Sequence, residues 1–151
     1  MTARPIELIV IHCTATPEYS ELPPAVLDQI HRRRGFAACG YHYYIRRDGS
    51  IHPMRPVDRP GAHARGYNAR SIGIAYEGGL TATGTPSDTR TEPQRRALRA
   101  LLTELRAAYP AARIVGHRDL SPDRNQNGSI EPEEWIKQCP CFDAIPEYSD
   151  I

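Results

Sequence analysis

Charge of one sign, long apolar runs and a cysteine framework are all missing from this sequence. Nineteen Lys and Arg face eighteen Asp and Glu, a net charge of +1. No global field therefore argues for nucleic acid or an anionic membrane as partner, and partners have to be read from a site. No segment is long and apolar enough to span a bilayer. The N-terminal run carries Glu7 and is too short for the core of a signal peptide, so synthesis in the cytoplasm without a signal peptide is expected. Four cysteines at uneven spacing do not form a disulfide scaffold, and Cys139-Pro140-Cys141 is too tight to read as a bridge. Reduced thiols are expected, with Cys13, Cys39 and Cys141 open between buried thiols and a redox pair. Repeats, linkers and low-complexity tracts are absent as well.

What is present is ordinary for a globular chain: 40% hydrophobic and 25% charged residues, with 14 Pro and 11 Gly that imply many turns. A length of 151 residues suits one domain, 1–151. Ile6 to Ile11 is a nearly continuous β-branched run, the pattern of a strand buried on both faces, with His12 at its end. Pro23 and Pro24 open a helix to about Arg33, with Val26, Leu27 and Ile30 on one face and Gly35 as the stop. Tyr41 to Arg47 and Ser50 to Arg55 flank Asp48-Gly49 and read as a hairpin. Ser71 to Tyr76 is another strand, ended by Gly78-Gly79, and Leu80 to Arg90 a surface loop. Thr91-Glu92-Pro93-Gln94 is a capping box, followed by Leu98, Leu101, Leu102 and Leu105 at helical spacing up to Tyr109-Pro110. Arg113 to Val115 is a short strand delivering His117, and Glu131 to Lys137 a short helix. The predicted class is α/β, a central mixed sheet flanked by helices.

His12 and His117 each end an apolar strand, so two parallel strands would present both imidazoles at one edge, and Cys139 would add a thiolate. A catalytic zinc takes three such ligands and leaves one position for water. Spacing alone leaves each of the three open between a structural and a ligating role.

The segments Val10-Ile11-His12-Cys13-Thr14-Ala15-Thr16, Gly40-Tyr41-His42-Tyr43, His63-Ala64-Arg65-Gly66-Tyr67-Asn68, Ser71-Ile72-Gly73-Ile74, Gly116-His117 and Lys137-Gln138-Cys139-Pro140 occur in that order along nearly the whole chain. Together they resemble the type 2 N-acetylmuramoyl-L-alanine amidases, and most of all the short phage amidases called lysozymes, relatives of the peptidoglycan recognition proteins. The resemblance implies zinc on His12, His117 and Cys139, with Tyr41 and Lys137 acting on the scissile amide and His63 and Asn68 in the substrate groove. It also implies peptidoglycan as partner, without nucleic acid or membrane, a monomer, and action on the cell wall after delivery by a holin or inside a particle. His31 and His52 have no matching role, and strand alternation turns His42 away from Tyr41.

Between His117 and Lys137 the chain departs from the short phage amidases, which join these positions by a shorter loop. The extra residues, Asp123 to Glu134, fit the calcium-loop pattern D-x-[DN]-x-[DN]-G with Glu twelfth. Calcium is expected on Asp123, Asn125, Asn127, Ser129 through its carbonyl, Glu131 and Glu134, with Gly128 making the turn. Since Leu120-Ser121-Pro122 breaks any preceding helix, this is an isolated loop, not a paired sensor. Two other functions fit the same residues: a peptidoglycan-binding module without activity, and a phage-derived regulator that binds another protein. A wall-piercing part of a tail or injection device is a further possibility of the resemblance.

Overall fold

The computed structural model describes residues 4–151. Strands β1 (Leu8–Cys13), β3 (Tyr43–Ile45), β4 (Ile51–Pro53), β5 (Ser71–Tyr76) and β7 (Arg113–Gly116) form one sheet in the order β4-β3-β5-β1-β7. All neighbours run parallel except β3 and β4, so the sheet is mixed as predicted. A second, two-stranded sheet pairs β2 (Thr16–Pro17) with β6 (Gly79–Leu80). Among the described residues no helix is long and apolar enough to cross a membrane.

Alternation along the central strands divides the interior. Ile9 and Ile11 of β1 and Ile72 and Ile74 of β5 meet Leu98 and Leu102 of α2 (Glu92–Ala108) on one face. Leu8 and Val10 lie on the other with Val115, while Ala75 joins Leu27 of α1 (Pro24–Arg33) and Tyr44. β1 is buried on both faces, which explains its unbroken apolar run. Its extent reaches Cys13, so His12 lies within the strand rather than beyond it. The hairpin forms at Asp48-Gly49, with Gly49 at φ 87°.

α2 is capped as its sequence demands. Thr91 Oγ1 accepts the Gln94 N–H, and Gln94 Oε1 accepts the Thr91 N–H. The Gln94 amide then reaches the sheet: its Nε2 donates to Glu77 O at 2.9 Å and to Ile45 O at 3.3 Å, from a fully buried position. One uncharged side chain thus closes a helix cap and two strand ends together. Glu77, also buried, accepts from the Leu22 and Arg47 N–H groups and from the Arg46 guanidinium. Burial alone would raise its pKa, yet Arg46 and the two amides outweigh burial and hold the carboxyl below its usual range. Near the C-terminus, Arg90 is fully enclosed, paired with Asp88 and Glu147 and laid over the Phe142 ring, which pins α3 (Ala144–Glu147).

Two predicted details are corrected. In α1 the inward residues are Leu27 and His31, whereas Val26 and Ile30 are each 41% exposed. Polar anchors set this rotation: Gly40 N–H donates to His31 Nδ1, and Cys39 N–H to Asp28 Oδ1. The expected helix over Glu131 to Lys137 is only a 3-10 turn, Pro132–Glu134. Glu134 folds its carboxylate back onto the Glu131, Arg124 and Asn125 N–H groups, so the chain leaves the turn extended at Trp135 and Lys137 lies on an irregular strip.

Replacing Gln94 with Leu removes the bonds to two buried carbonyls and half of the cap. It should cost about 2–4 kcal/mol, read as a lower urea midpoint with an unchanged m-value.

Candidate functional site

The parallel pairing of β1 with β7 sets Ile11 beside Gly116, so the next residues, His12 and His117, emerge side by side. Their ring centroids are 4.5 Å apart. Cys139 arrives from the far end of the chain, where its carbonyl accepts the Arg118 N–H and its Sγ accepts the Cys13 N–H at 3.1 Å. His12, His117 and Cys139 each offer one ligand atom, all within 4.8 Å of one another. Two imidazoles and a thiol in this arrangement match the donor set of a three-ligand zinc site, and the Cys13 amide is placed to support a thiolate.

Burial pushes both histidines toward the neutral form, His12 far below its usual range and His117 to about 4, with further pressure on both from the nearby Lys137 charge. Their lone pairs are thus free for a cation at neutral pH. Gly116 is required by the close approach of Pro140: a Cβ there would sit 2.7 Å from its ring.

The residues assigned to chemistry are here too. Tyr41 lies just before β3, tied to the hairpin by the Arg55 N–H to its carbonyl, with its ring 5.1 Å from His12 and 5.3 Å from His31. Burial and neighbouring thiols raise its phenol, so it stays a proton donor at neutral pH. Lys137 is exposed at the mouth. Tyr41, Lys137, His31, His63 and Arg34 line, with the three candidate ligands, a cavity of about 230 Å³. It opens into a groove of about 550 Å³ that shares Arg34, His63, His117 and Lys137 and adds Phe36, Arg65 and Asn68.

His63 and Asn68, predicted to line the groove, do so, but each has a second contact that sequence did not reveal. His63 Nδ1 lies 2.8 Å from His12 Nε2, with the rings edge to face, so it braces a candidate ligand. The floor beneath it is Gly73, where a Cβ would come within 2.6 Å of the imidazole. Asn68 Oδ1 accepts the His63 and Ala64 N–H groups and holds that turn. His31 was given no role, yet it is buried against Tyr41. Its distance from Leu27, one helical turn, was the sequence signal that it faced inward.

His42 is turned away from Tyr41 and buried, its Nδ1 accepting the Gly73 N–H and its Nε2 donating to Arg59 O. His52 is in β4 and bonds Ser50 Oγ. Among the described residues all four cysteines are free, with Cys13 and Cys141 Sγ 4.0 Å apart.

Comparison with known proteins agrees with this geometry. A model of the N-acetylmuramoyl-L-alanine amidase family matches residues 2–134, which include His12, Tyr41, His63 and His117. The chain belongs to this family. The matched region stops before Lys137 and Cys139. The chain is 36% identical over 135 residues to an endolysin of Klebsiella phage KP32, covering 89% of this chain and 80% of that one. It is 33% identical over 137 residues to the endolysin of Escherichia phage T7, covering 91% and 82%. The solved N-acetylmuramoyl-L-alanine amidase LysC from Clostridium intestinale URNW superposes with a TM-score of 0.72 at 31% identity, over 94% of this chain and 80% of that one. Bumblebee PGRP-SA, at 20% identity and a TM-score of 0.72, shares the fold.

His42 provides a pH test. Burial, the dominant cause, lowers its folded value to about 4 from an ordinary 6.5. Above pH 6.5 its contribution is complete, and it is lost as pH falls from 6.5 toward 4, because the unfolded chain takes the proton first. The slope should reach about 1.4 kcal/mol per pH unit. Urea unfolding between pH 7 and 5 should show a smaller loss in His42→Asn, which keeps an acceptor for Gly73 but does not titrate. An unchanged slope would assign the acid sensitivity elsewhere.

Proposed function

We propose that this protein is a zinc-dependent amidase that hydrolyses the bond between N-acetylmuramic acid and L-alanine in bacterial peptidoglycan. The observation that carries the reading is the gathering of His12, His117 and Cys139 at the head of a groove, with their ligand atoms within 4.8 Å of one another. Family membership and the phage endolysins among its relatives support the same substrate. So does the groove's charge: Arg34, Arg65 and Lys137 line it and no Asp or Glu does, while Phe36, Leu120 and Ile136 add apolar walls. Stem peptides carry carboxylates and short aliphatic side chains, which suit such a lining.

Zinc on the three ligands would supply Lewis acidity toward the scissile carbonyl and lower the pKa of a water molecule to about 7. The chain's own residues do the rest. Lys137, at the mouth, offsets negative charge developing on the amide oxygen. Tyr41, held protonated by burial, donates a hydrogen bond to the same centre. His63 keeps the His12 ring in place, and Asn68 keeps His63 in place. No carboxylate lines the inner cavity, so the proton that reaches the leaving nitrogen passes by way of a histidine, Tyr41 or Lys137. In this reading the working form is a monomer acting on the wall after delivery.

Purified protein should contain about one zinc per chain, lost in His12→Ala and Cys139→Ala. Digestion of purified cell walls should release new L-alanine amino termini, and Cys139→Ala should release none. Binding of walls without new amino termini in the wild type would make the protein a recognition module instead. Lys137→Ala and Tyr41→Phe should keep their zinc and lose about 10²–10³ in kcat. Loss of zinc in either variant would contradict the separation of roles.

A further inference from the structure

The amidase reading makes no use of the twelve residues Asp123 to Glu134. We infer that they bind one calcium ion, and that its binding holds Cys139 and Lys137 in place for the zinc site. The second half of this inference rests on the zinc reading; the first does not.

The loop presents oxygen where a hard cation needs it. Asp123 Oδ2 accepts the Gly128 N–H at 2.8 Å, Asn125 Oδ1 the Asn127 N–H at 3.2 Å, and Asn127 Oδ1 the Ser129 N–H at 3.0 Å, so positions one, three and five all turn inward. Gln126 and Gly128, at φ 58° and 86°, make the bend. Glu134 comes back over the loop and is only 6% exposed. Asn125 and Asn127 also converge on Glu131, each donating through Nδ2 to its Oε1.

These contacts alone describe a well-folded turn. A separate observation points to a cation. Asp123 Oδ1 is shut off from solvent and has no hydrogen-bond partner, a costly state for a carboxylate oxygen. The Asp123 carboxyl also lies within hydrogen-bonding reach of the Glu134 carboxyl. Among the described residues neither makes an ion pair with Lys or Arg. Two anionic groups brought together with an orphaned oxygen between chain segments need a positive charge, and a twelve-position oxygen loop closed by Glu suits calcium better than the smaller magnesium ion.

The consequence follows from where the loop's two ends go. Upstream, Asp123 is reached from His117 through Arg118 and Ser121. Downstream, Glu134 leads to Trp135, whose ring lies 3.8 Å from the Arg118 guanidinium carbon, and to Ile136, whose N–H donates to Ser121 Oγ. Arg118 N–H then holds the Cys139 carbonyl. An ion joining Asp123 to Glu134 therefore ties the His117 side to the Cys139 side. Only short 3-10 turns flank the loop, His117–Leu120 before it and Pro132–Glu134 at its end, so the ion fixes a position rather than opening a helix pair.

Terbium tests the site, because Trp135, the single tryptophan, follows Glu134 directly and can sensitise the ion. In the zinc-loaded full chain, excitation of Trp135 should give saturable terbium emission, about one ion per chain, displaced by calcium but not by equal magnesium. Calcium at a hundredfold its Kd should raise the thermal midpoint by about 5 °C or more. Asp123→Asn and Asn127→Ala should each weaken calcium binding at least tenfold, while Cys139→Ser should bind terbium as tightly as the zinc-free wild type does, which separates this site from the zinc triad. Absence of saturable terbium or calcium binding, or binding unchanged in both loop variants, would overturn the calcium site. Zinc affinity, measured by competition with a chromophoric chelator, should fall by about tenfold when a calcium-selective chelator replaces calcium. Equal zinc affinities would overturn the coupling.

Discussion

The register of β1 against β7 is the constraint on which the site depends. With Ile11 beside Gly116, His12 and His117 can only emerge as neighbours, and a slip of one residue would turn the His12 ring into the face packed by α2. Everything else at the site is arranged around that pair. Cys139 comes to it across the Cys13 amide, Tyr41 lies over it, and His63 is held against it by the glycine floor of β5. The opposite face of the sheet, filled by aliphatic residues from β1, β5 and α2, keeps the register fixed.

Much of this was legible in the chain because it is encoded locally. The β-branched run before His12, the Asp48-Gly49 turn and the Thr91 to Gln94 cap each need only a few consecutive residues to specify them, and each formed where expected. What stayed hidden depends on residues far apart. His63 reaches His12 across 51 positions, and Gln94 reaches Ile45 across 49; neither pairing leaves a periodic trace. The rotation of α1 is hidden for the same reason. Val26, Leu27 and Ile30 form an apolar stripe by themselves, but the acceptors that Asp28 and His31 offer to Cys39 and Gly40 decide which side faces in.

Burial of polar groups follows one rule throughout the molecule: each is enclosed because its partners are enclosed with it. Glu77 has two amides and a guanidinium, Arg90 two carboxylates and an aromatic face, and His42 an amide and a carbonyl. Among the described residues Asp123 Oδ1 and Trp135 Nε1 are the exceptions, and both lie in or directly beside the loop from Asp123 to Glu134.

The Gln94 amide joins helix to sheet without any formal charge. Salt does not screen such a bond and pH does not titrate it. The opposite face of the sheet carries the buried histidines, whose neutrality ends in acid. The scaffold and the site therefore have different operating ranges: in acid the catalytic face should loosen while the α2 face still holds, so that the wall chemistry has a narrower pH window than the fold beneath it.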